Sequence, residues 1–316
     1  MTHTLSLIIP VYNEAEGLPM LVQGIGTALN PTYPQHEVIF VNDGSTDGSL
    51  QVLRDLSAKN PKLKVIALRR NFGQTAAIAA GVDHATGDVI VPLDADLEND
   101  PADIPKLVAK LDEGYDIVSG WRQDRWANQR FTRRFTSQAA NALISKVSGV
   151  ELHDYGCTLK AYRADIIKGV RLYGEMHRFI PALASWQGAA ITEIPVHYQP
   201  RRFGTSKYGL ERVLKVVLDL VTLKFLNDYS AKPIYFFGKA GFWSFLLGSI
   251  SAVIAVYFKV TGQKDFVETP LPVLTALFFI VAVIFVLMGL LAELIMRMHH
   301  ETQAKPTYAI KEKINL

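Results

Sequence analysis

The sequence holds 316 residues, 49% hydrophobic and 20% charged, with a formal charge of +3. That length suits one catalytic domain with an appendage, and so small an excess of positive charge argues against nucleic acid as a partner. A single cysteine, Cys157, excludes an intrachain disulfide and a cysteine-rich zinc site, and suits a reducing cytoplasm.

No basic region precedes the first apolar stretch, and residues 5–11 are too few for the core of a signal peptide. The first domain is therefore expected to stay on the side where it is made. From 5 to 122, short β-branched runs alternate with amphipathic segments: LSLIIPVY, EVIFVND, KVIALRR, DVIVPLDA and DIVSGWR. This rhythm predicts a mostly parallel sheet with helices on both faces, and continuous apolar runs suit strands buried on both sides. In open sheets of this kind, ligands bind beyond the carboxyl ends of the strands. Three of those ends carry polar clusters, Tyr12-Asn13-Glu14, Asn42-Asp43-Gly44-Ser45 and Asp94-Ala95-Asp96.

Each cluster can carry chemistry. Tyr12 offers a stacking ring and Glu14 an acceptor for a nucleobase. Asp43 reads as a base-binding carboxylate or as part of a turn, with Ser45 or Thr46 capping the next helix. Asp94, Asp96 and Glu98 leave a buried strand in close succession, and carboxylates so crowded need a positive partner. A divalent ion, Mg2+ or Mn2+, suits those hard oxygens and would bridge the phosphates of a nucleotide diphosphate.

Further along, 128–147 reads as a basic helix in which Arg130, Arg133 and Arg134 neighbour Phe131 and Phe135. Such a helix lies on a lipid surface or packs with a solvated basic face. Residues 206–230 read as an interfacial amphipathic helix. Two long apolar runs follow, 234–258 and 271–296, each with the roughly 20 residues needed to cross a hydrocarbon core of about 30 Å. Positive residues before the first run and after the second put both ends of the hairpin on the cytoplasmic side. Two buried core helices are the other reading of these runs. Gly238, Gly241 and Gly248 on the first run suit either self-association into a homo-oligomer or packing of the hairpin. The organisation expected is a domain at 1–205, a juxtamembrane helix at 206–231, two spans within 232–298 and a tail at 299–316.

Taken together, Ile8-Ile9-Pro10-Val11-Tyr12-Asn13-Glu14, Val41-Asn42-Asp43-Gly44-Ser45-Thr46-Asp47 and Asp94-Ala95-Asp96, in that order and spacing, resemble family 2 glycosyltransferases of the Rossmann-like GT-A fold. Arg70-Asn71-Phe72-Gly73-Gln74, Gly120-Trp121-Arg122, His153-Asp154-Tyr155-Gly156-Cys157, Met176-His177-Arg178-Phe179 and Arg202-Phe203-Gly204-Thr205-Ser206-Lys207 narrow the resemblance. With the two apolar runs, the whole chain resembles the polyprenol-phosphate glycosyltransferases, the group of dolichol-phosphate mannose synthases and bacterial undecaprenyl-phosphate glucosyl and aminoarabinosyl transferases.

The resemblance implies an inverting, membrane-bound enzyme that moves a sugar from a nucleotide sugar, read as a UDP-hexose such as UDP-glucose, to a polyprenyl phosphate. GDP-mannose and aminoarabinose donors are the alternatives. It implies that Pro10, Tyr12, Glu14, Asp43, Gln74, Asp94 and Ala95 hold the donor nucleotide. Asp94, Asp96 and Glu98 would bind the metal, although relatives often have glutamine in place of Glu98. Arg122, Arg202, Ser206 and Lys207 would meet phosphates, and Asp154, with Asp96, would be catalytic, Asp154 as base or orienting group. Two rivals are weaker. A processive polysaccharide synthase carries Q-x-x-R-W, and Gln123-Asp124-Arg125-Trp126 has the wrong spacing. An inactive GT-A binding module would lack the carboxylates that are present here.

Overall fold

The computed structural model describes residues 3–126, 141, 144–145, 148–170, 172, 176–200, 234–302 and 307–316, of which 126, 234, 293–294 and 296–302 by backbone alone. They belong to two compact units, Met1–Val221 with Pro306–Leu316, and Thr222–Lys305. Most of the helix expected at 128–147 and all of that at 206–230 lie outside the described residues.

The first unit is built on β1 (Leu5–Val11), β2 (His36–Asn42), β3 (Leu63–Leu68), β4 (Val89–Pro92), β5 (Ile117–Trp121), β6 (Lys160–Arg163), β7 (Ile191–Pro195) and β8 (Ile310–Ile314). They form one eight-stranded sheet in the order β7-β5-β6-β4-β1-β2-β3-β8. The five expected strands are present, and β4, β1, β2 and β3 run parallel. The sheet is mostly parallel, as expected: β5 and β7 pair in parallel, and only β6, antiparallel between β4 and β5, and β8, antiparallel on β3, run the other way.

Strand alternation sends Leu7, Ile9 and Val11 of β1 to one face, against α1 (Leu18–Leu29) and α4 (Ile104–Leu111). Ile8 points to the other face, with Ile39 and Val41, and meets Ala77 and Ile78 of α3 (Gln74–His84). Helix α2 (Ser49–Lys59) covers the first face through Leu53, while α5 (Ala164–Gly169) and α6 (Ile180–Ser185) cover the second through Ile167 and Ile180. Small residues let α3 lie directly on the sheet: a Cβ on Gly81 would stand 2.3 Å from Cγ2 of Ile8. That close approach brings Gln74, at the start of α3, to the end of β4.

Residues 310–314, expected within a tail, instead complete the sheet. Ile314 pairs with Val65, Tyr308 donates its hydroxyl to Asp83 at 2.7 Å, and Arg54 pairs with Glu312 at 2.6 Å. Asn315 donates to the carbonyls of Ser57 and Leu63, each at 3.0 Å.

The second unit contains α7 (Ile234–Val260) and α8 (Leu271–Thr302), joined by a connector that carries a Lys259–Asp265 ion pair. The helices run antiparallel, since Gly241 faces Ala282, Gly248 faces Phe279 and Ser251 bonds the Leu271 carbonyl. Both are long and apolar enough to cross a membrane. Their outward side chains are apolar and uncovered, with Val253 68% and Val273 72% exposed, which is the reverse of two buried core helices. A Cβ on Gly241 would stand 3.1 Å from the Ala282 carbonyl and one on Gly248 3.0 Å from the Phe279 ring, so these two glycines pack the hairpin itself.

Candidate active site

The site is assembled from the loops that leave β1, β2 and β4. After β1, Asn13 adopts φ 59°, a left-handed conformation that asparagine tolerates better than most residues. Its side-chain oxygen accepts the Thr46 backbone N–H at 2.8 Å, and its own N–H donates to Ser45 Oγ at 3.1 Å. Ser45 and Thr46 thus stitch two loops together rather than capping α2, where Asp47 accepts the Ser49 N–H at 2.9 Å. Gly44 has φ 66°, and a Cβ there would lie 2.4 Å from the Arg70 carbonyl carbon, so only glycine lets the loop after β2 lie against that after β3.

Asp43 ends this stitched region, buried, accepting the N–H groups of Phe72 at 2.7 Å and Gly73 at 2.9 Å. Burial raises its carboxyl above the usual range despite those two bonds and the charge of Arg70. Pro10, Tyr12, Glu14, Asp43, Gln74, Asp94 and Ala95, all seven residues expected around the donor nucleotide, line one open pocket of about 220 Å³, together with Asp96.

Beyond β4 the chain bends sharply. Leu97 is held at φ 61°, which a branched side chain rarely adopts, and Asp96 accepts the Glu98 N–H at 3.1 Å inside that turn. Asp94 is gripped from two sides, by Gln74 Nε2 at 2.8 Å and by the Thr158 hydroxyl at 2.6 Å. Burial, then the neighbouring Asp96 carboxylate, push the Asp94 carboxyl up to about 6, against the Thr158 bond.

A smaller cavity of about 80 Å³ shares Gln74, Asp94 and Asp96 with that pocket and is lined also by Glu98, Arg122, Arg125, Thr158, Lys160, His177 and Arg178. Arg122, at the end of β5, is 4% exposed and forks onto Asp154, Nε to Oδ2 at 2.8 Å and Nη2 to Oδ1 at 3.2 Å. Arg125 stands 3.9 Å from the same carboxylate. Burial works to raise the Asp154 carboxyl, but the Arg122 charge and hydrogen bonds outweigh it, and the net shift is downward. A carboxylate so held is a poor proton acceptor, so of the two roles implied for Asp154 the geometry fits the orienting one.

The expected three-carboxylate metal set is not assembled. Among the described residues no three of His, Cys, Asp and Glu come together as a metal cage, and Glu98 faces Arg122, whose Nη1 is 3.9 Å from Oε2. Asp94 and Asp96 still fit a hard divalent ion: they are adjacent, oxygen-only, and crowded enough to raise one carboxyl. Mg2+ keeps several waters and takes one or two protein carboxylates with substrate phosphates, a demand that two aspartates meet without Glu98.

Thr158 and Lys160 carried no signal in the sequence, whereas His177 stood in one of the stretches that narrowed the resemblance. Thr158 and Lys160 reach the cavity from the segment that enters β6, and His177 Nδ1 is paired with Thr75 Oγ1 at 2.7 Å, docking the 176–179 turn on α3 beside Gln74. Arg202, Ser206 and Lys207, expected at the acceptor, lie outside the described residues.

Residues 6–171 match the family model described as glycosyl transferase family 2. The chain is 40% identical over 316 residues to the dodecaprenyl-phosphate galacturonate synthase of Rhizobium johnstonii, covering 98% of this chain and 92% of that protein. Glucosyl-3-phosphoglycerate synthase from Mycobacterium tuberculosis, crystallised with Mn2+ and UDP-glucose, superposes with a TM-score of 0.55 at 15% identity, over 71% of this chain and 79% of that one. The same enzyme with Mg2+ and UDP gives a TM-score of 0.54 at 16% identity, over 71% and 79%. At that identity the likeness is one of fold.

Proposed function

The chain belongs to glycosyl transferase family 2, and from that premise we propose that it moves a sugar, with inversion, from a nucleotide sugar to a polyprenyl phosphate at the cytoplasmic face of a membrane. One observation carries this reading: the pocket lined by Pro10, Tyr12, Glu14, Asp43 and Ala95 and the cavity lined by Arg122 and Lys160 share a single wall of Gln74, Asp94 and Asp96. A nucleotide on one side and a reacting sugar and phosphate on the other would meet at those carboxylates. The donor is read as UDP-linked, since the fold is that of an enzyme crystallised with UDP-glucose. The sugar class is a hexose or its uronate, the latter being what the Rhizobium relative is named for.

Asp94 and Asp96 would hold Mg2+ or Mn2+, which when bound supplies positive charge to the departing diphosphate. Tyr12 and Glu14 bind and orient the base, and Asp43 fixes the backbone of 72–73 beneath it. Arg122, held straight by Asp154, presents its remaining charge to an anionic phosphate. The acceptor is a phosphomonoester with a second pKa of about 6, so its attacking oxygen is already an anion at neutral pH. Positioning then matters more than a strong base, which agrees with an Asp154 locked by Arg122. The outward apolar faces of α7 and α8 support membrane anchoring. The pairing of β8 with β3 supports an even number of crossings, because the strand that follows the hairpin returns to the catalytic unit.

The test is turnover. Purified protein in detergent is incubated with undecaprenyl phosphate and, separately, UDP-glucose, UDP-galacturonate, GDP-mannose and a UDP-aminoarabinose, with and without Mg2+. One donor is expected to yield a lipid-linked sugar of inverted configuration; no lipid product from any donor, or a product of retained configuration, would overturn the reading.

A further inference from the structure

Lys160 is the least expected charge in the molecule. It opens β6, is 2% exposed, and among the described residues no carboxylate lies within ion-pair reach of its ammonium. A buried ammonium is costly unless hydrogen-bonded. Its partners are the backbone carbonyls of Tyr155, at 3.3 Å, and Cys157. Those two carbonyls belong to the 154–158 segment, which leads into β6.

The ends of that segment do the site's holding. Asp154 grips Arg122, and Thr158 bonds Asp94 at 2.6 Å. Between them the backbone turns tightly, the Cys157 N–H reaching the Asp154 carbonyl at 3.4 Å. It also lies hard against β5: a Cβ on Gly120 would stand 2.8 Å from the Leu159 carbonyl and 3.1 Å from the Cys157 sulfur. We propose that Lys160 is a positioning residue, whose ammonium ties the carbonyls of Tyr155 and Cys157 so that one end of the segment orients Arg122 and the other orients Asp94. It touches the cavity on the Arg122 side but not the nucleotide-side pocket. Its loss is therefore expected to lower turnover more than it weakens nucleotide binding, which it reaches only through Thr158 and Asp94.

The inference rests on the transferase reading above. The experiment uses the full-length protein in detergent, UDP with Mn2+ for calorimetry, and undecaprenyl phosphate with the nucleotide sugar that the unaltered protein turns over. Lys160→Met is expected to lower kcat about 10- to 100-fold, the scale of a misplaced reacting group, with UDP binding weakened by clearly less than kcat falls. Lys160→Arg, which retains donors, is expected to recover activity relative to Lys160→Met. Because Lys160 acts partly through Thr158, adding Lys160→Met to Thr158→Val should cost clearly less than it does alone. Unchanged kcat in Lys160→Met, or losses that multiply fully with Thr158→Val, would overturn the proposal. Where Lys160→Met does not fold, the same cycle is read with Lys160→Gln, under the same two outcomes. An unaltered protein that turns over no nucleotide sugar overturns the transferase reading instead.

Discussion

Arg122 and Asp154 form a two-point ion pair, at 2.8 and 3.2 Å, with both side chains buried. Removing one charge strands the other. Asp154→Asn is expected to destabilise the protein by about 3–5 kcal/mol, whereas exchanging both residues, Arg122→Met with Asp154→Leu, should come close to neutral. Thermal unfolding in detergent checks the pair. Neither variant should transfer sugar, and a fully active double variant would remove Arg122 from the site.

Asp94 and Asp96 should behave differently from Glu98. Asp94→Asn and Asp96→Asn are expected to lower kcat more than about 100-fold, the scale of losing transition-state charge stabilisation. Glu98→Gln should cost under about tenfold, because its carboxylate faces Arg122 rather than joining the pair. Chelation with EDTA should abolish transfer and added Mn2+ or Mg2+ restore it; activity that survives complete chelation would leave the two aspartates without their assigned role.

Glu37 is expected to contribute to the acid sensitivity of the fold. Its buried carboxylate accepts from Ser6 Oγ at 2.5 Å, Lys64 Nζ at 2.5 Å and Thr86 N at 2.7 Å. Burial alone would raise its pKa, but Lys64, Ser6 and Thr86 together lower it. A folded-state pKa below the unfolded value, which is about 4.3, means stability that is present above that pH and lost as the pH falls through the folded-state value. Glu37→Gln should cost about 1–3 kcal/mol at neutral pH and flatten the acid limb of stability against pH. An unchanged acid limb would contradict the assignment.

The acceptor end can be probed without further geometry. Arg202→Ala and Lys207→Ala are expected to reduce transfer to the lipid far more than UDP binding, measured side by side by product formation and calorimetry. Equal losses in both would refute an acceptor role.

What the sequence disclosed follows from where its signals are local. Strands β1 to β5 are mostly apolar runs that are largely buried, and the acidic turn after β4 stands out in any reading. Strands β6 and β8 do not: Lys160-Ala161-Tyr162-Arg163 looks like a loop, and Ile310-Lys311-Glu312-Lys313-Ile314 like a charged tail. Each becomes a strand only through partners distant in the chain. The hold of Thr158 on Asp94, across 64 residues, is equally silent, since a single hydroxyl advertises nothing. Glu98 was legible only as a neighbour of the aspartates: it lines the same cavity as Asp94 and Asp96 and also stands 3.9 Å from Arg122.

The return of β8 to the sheet bears on biogenesis. Glu312 meets Arg54 across 258 residues, so the closing strand is made only after both hydrophobic helices have been synthesised. Until then β3 has an open edge, the kind that recruits other chains. Under the two-span topology proposed above, a hairpin threaded only once would leave the closing strand in the other compartment and that edge open. Under that topology, completion of the sheet would thus report correct insertion of the hairpin.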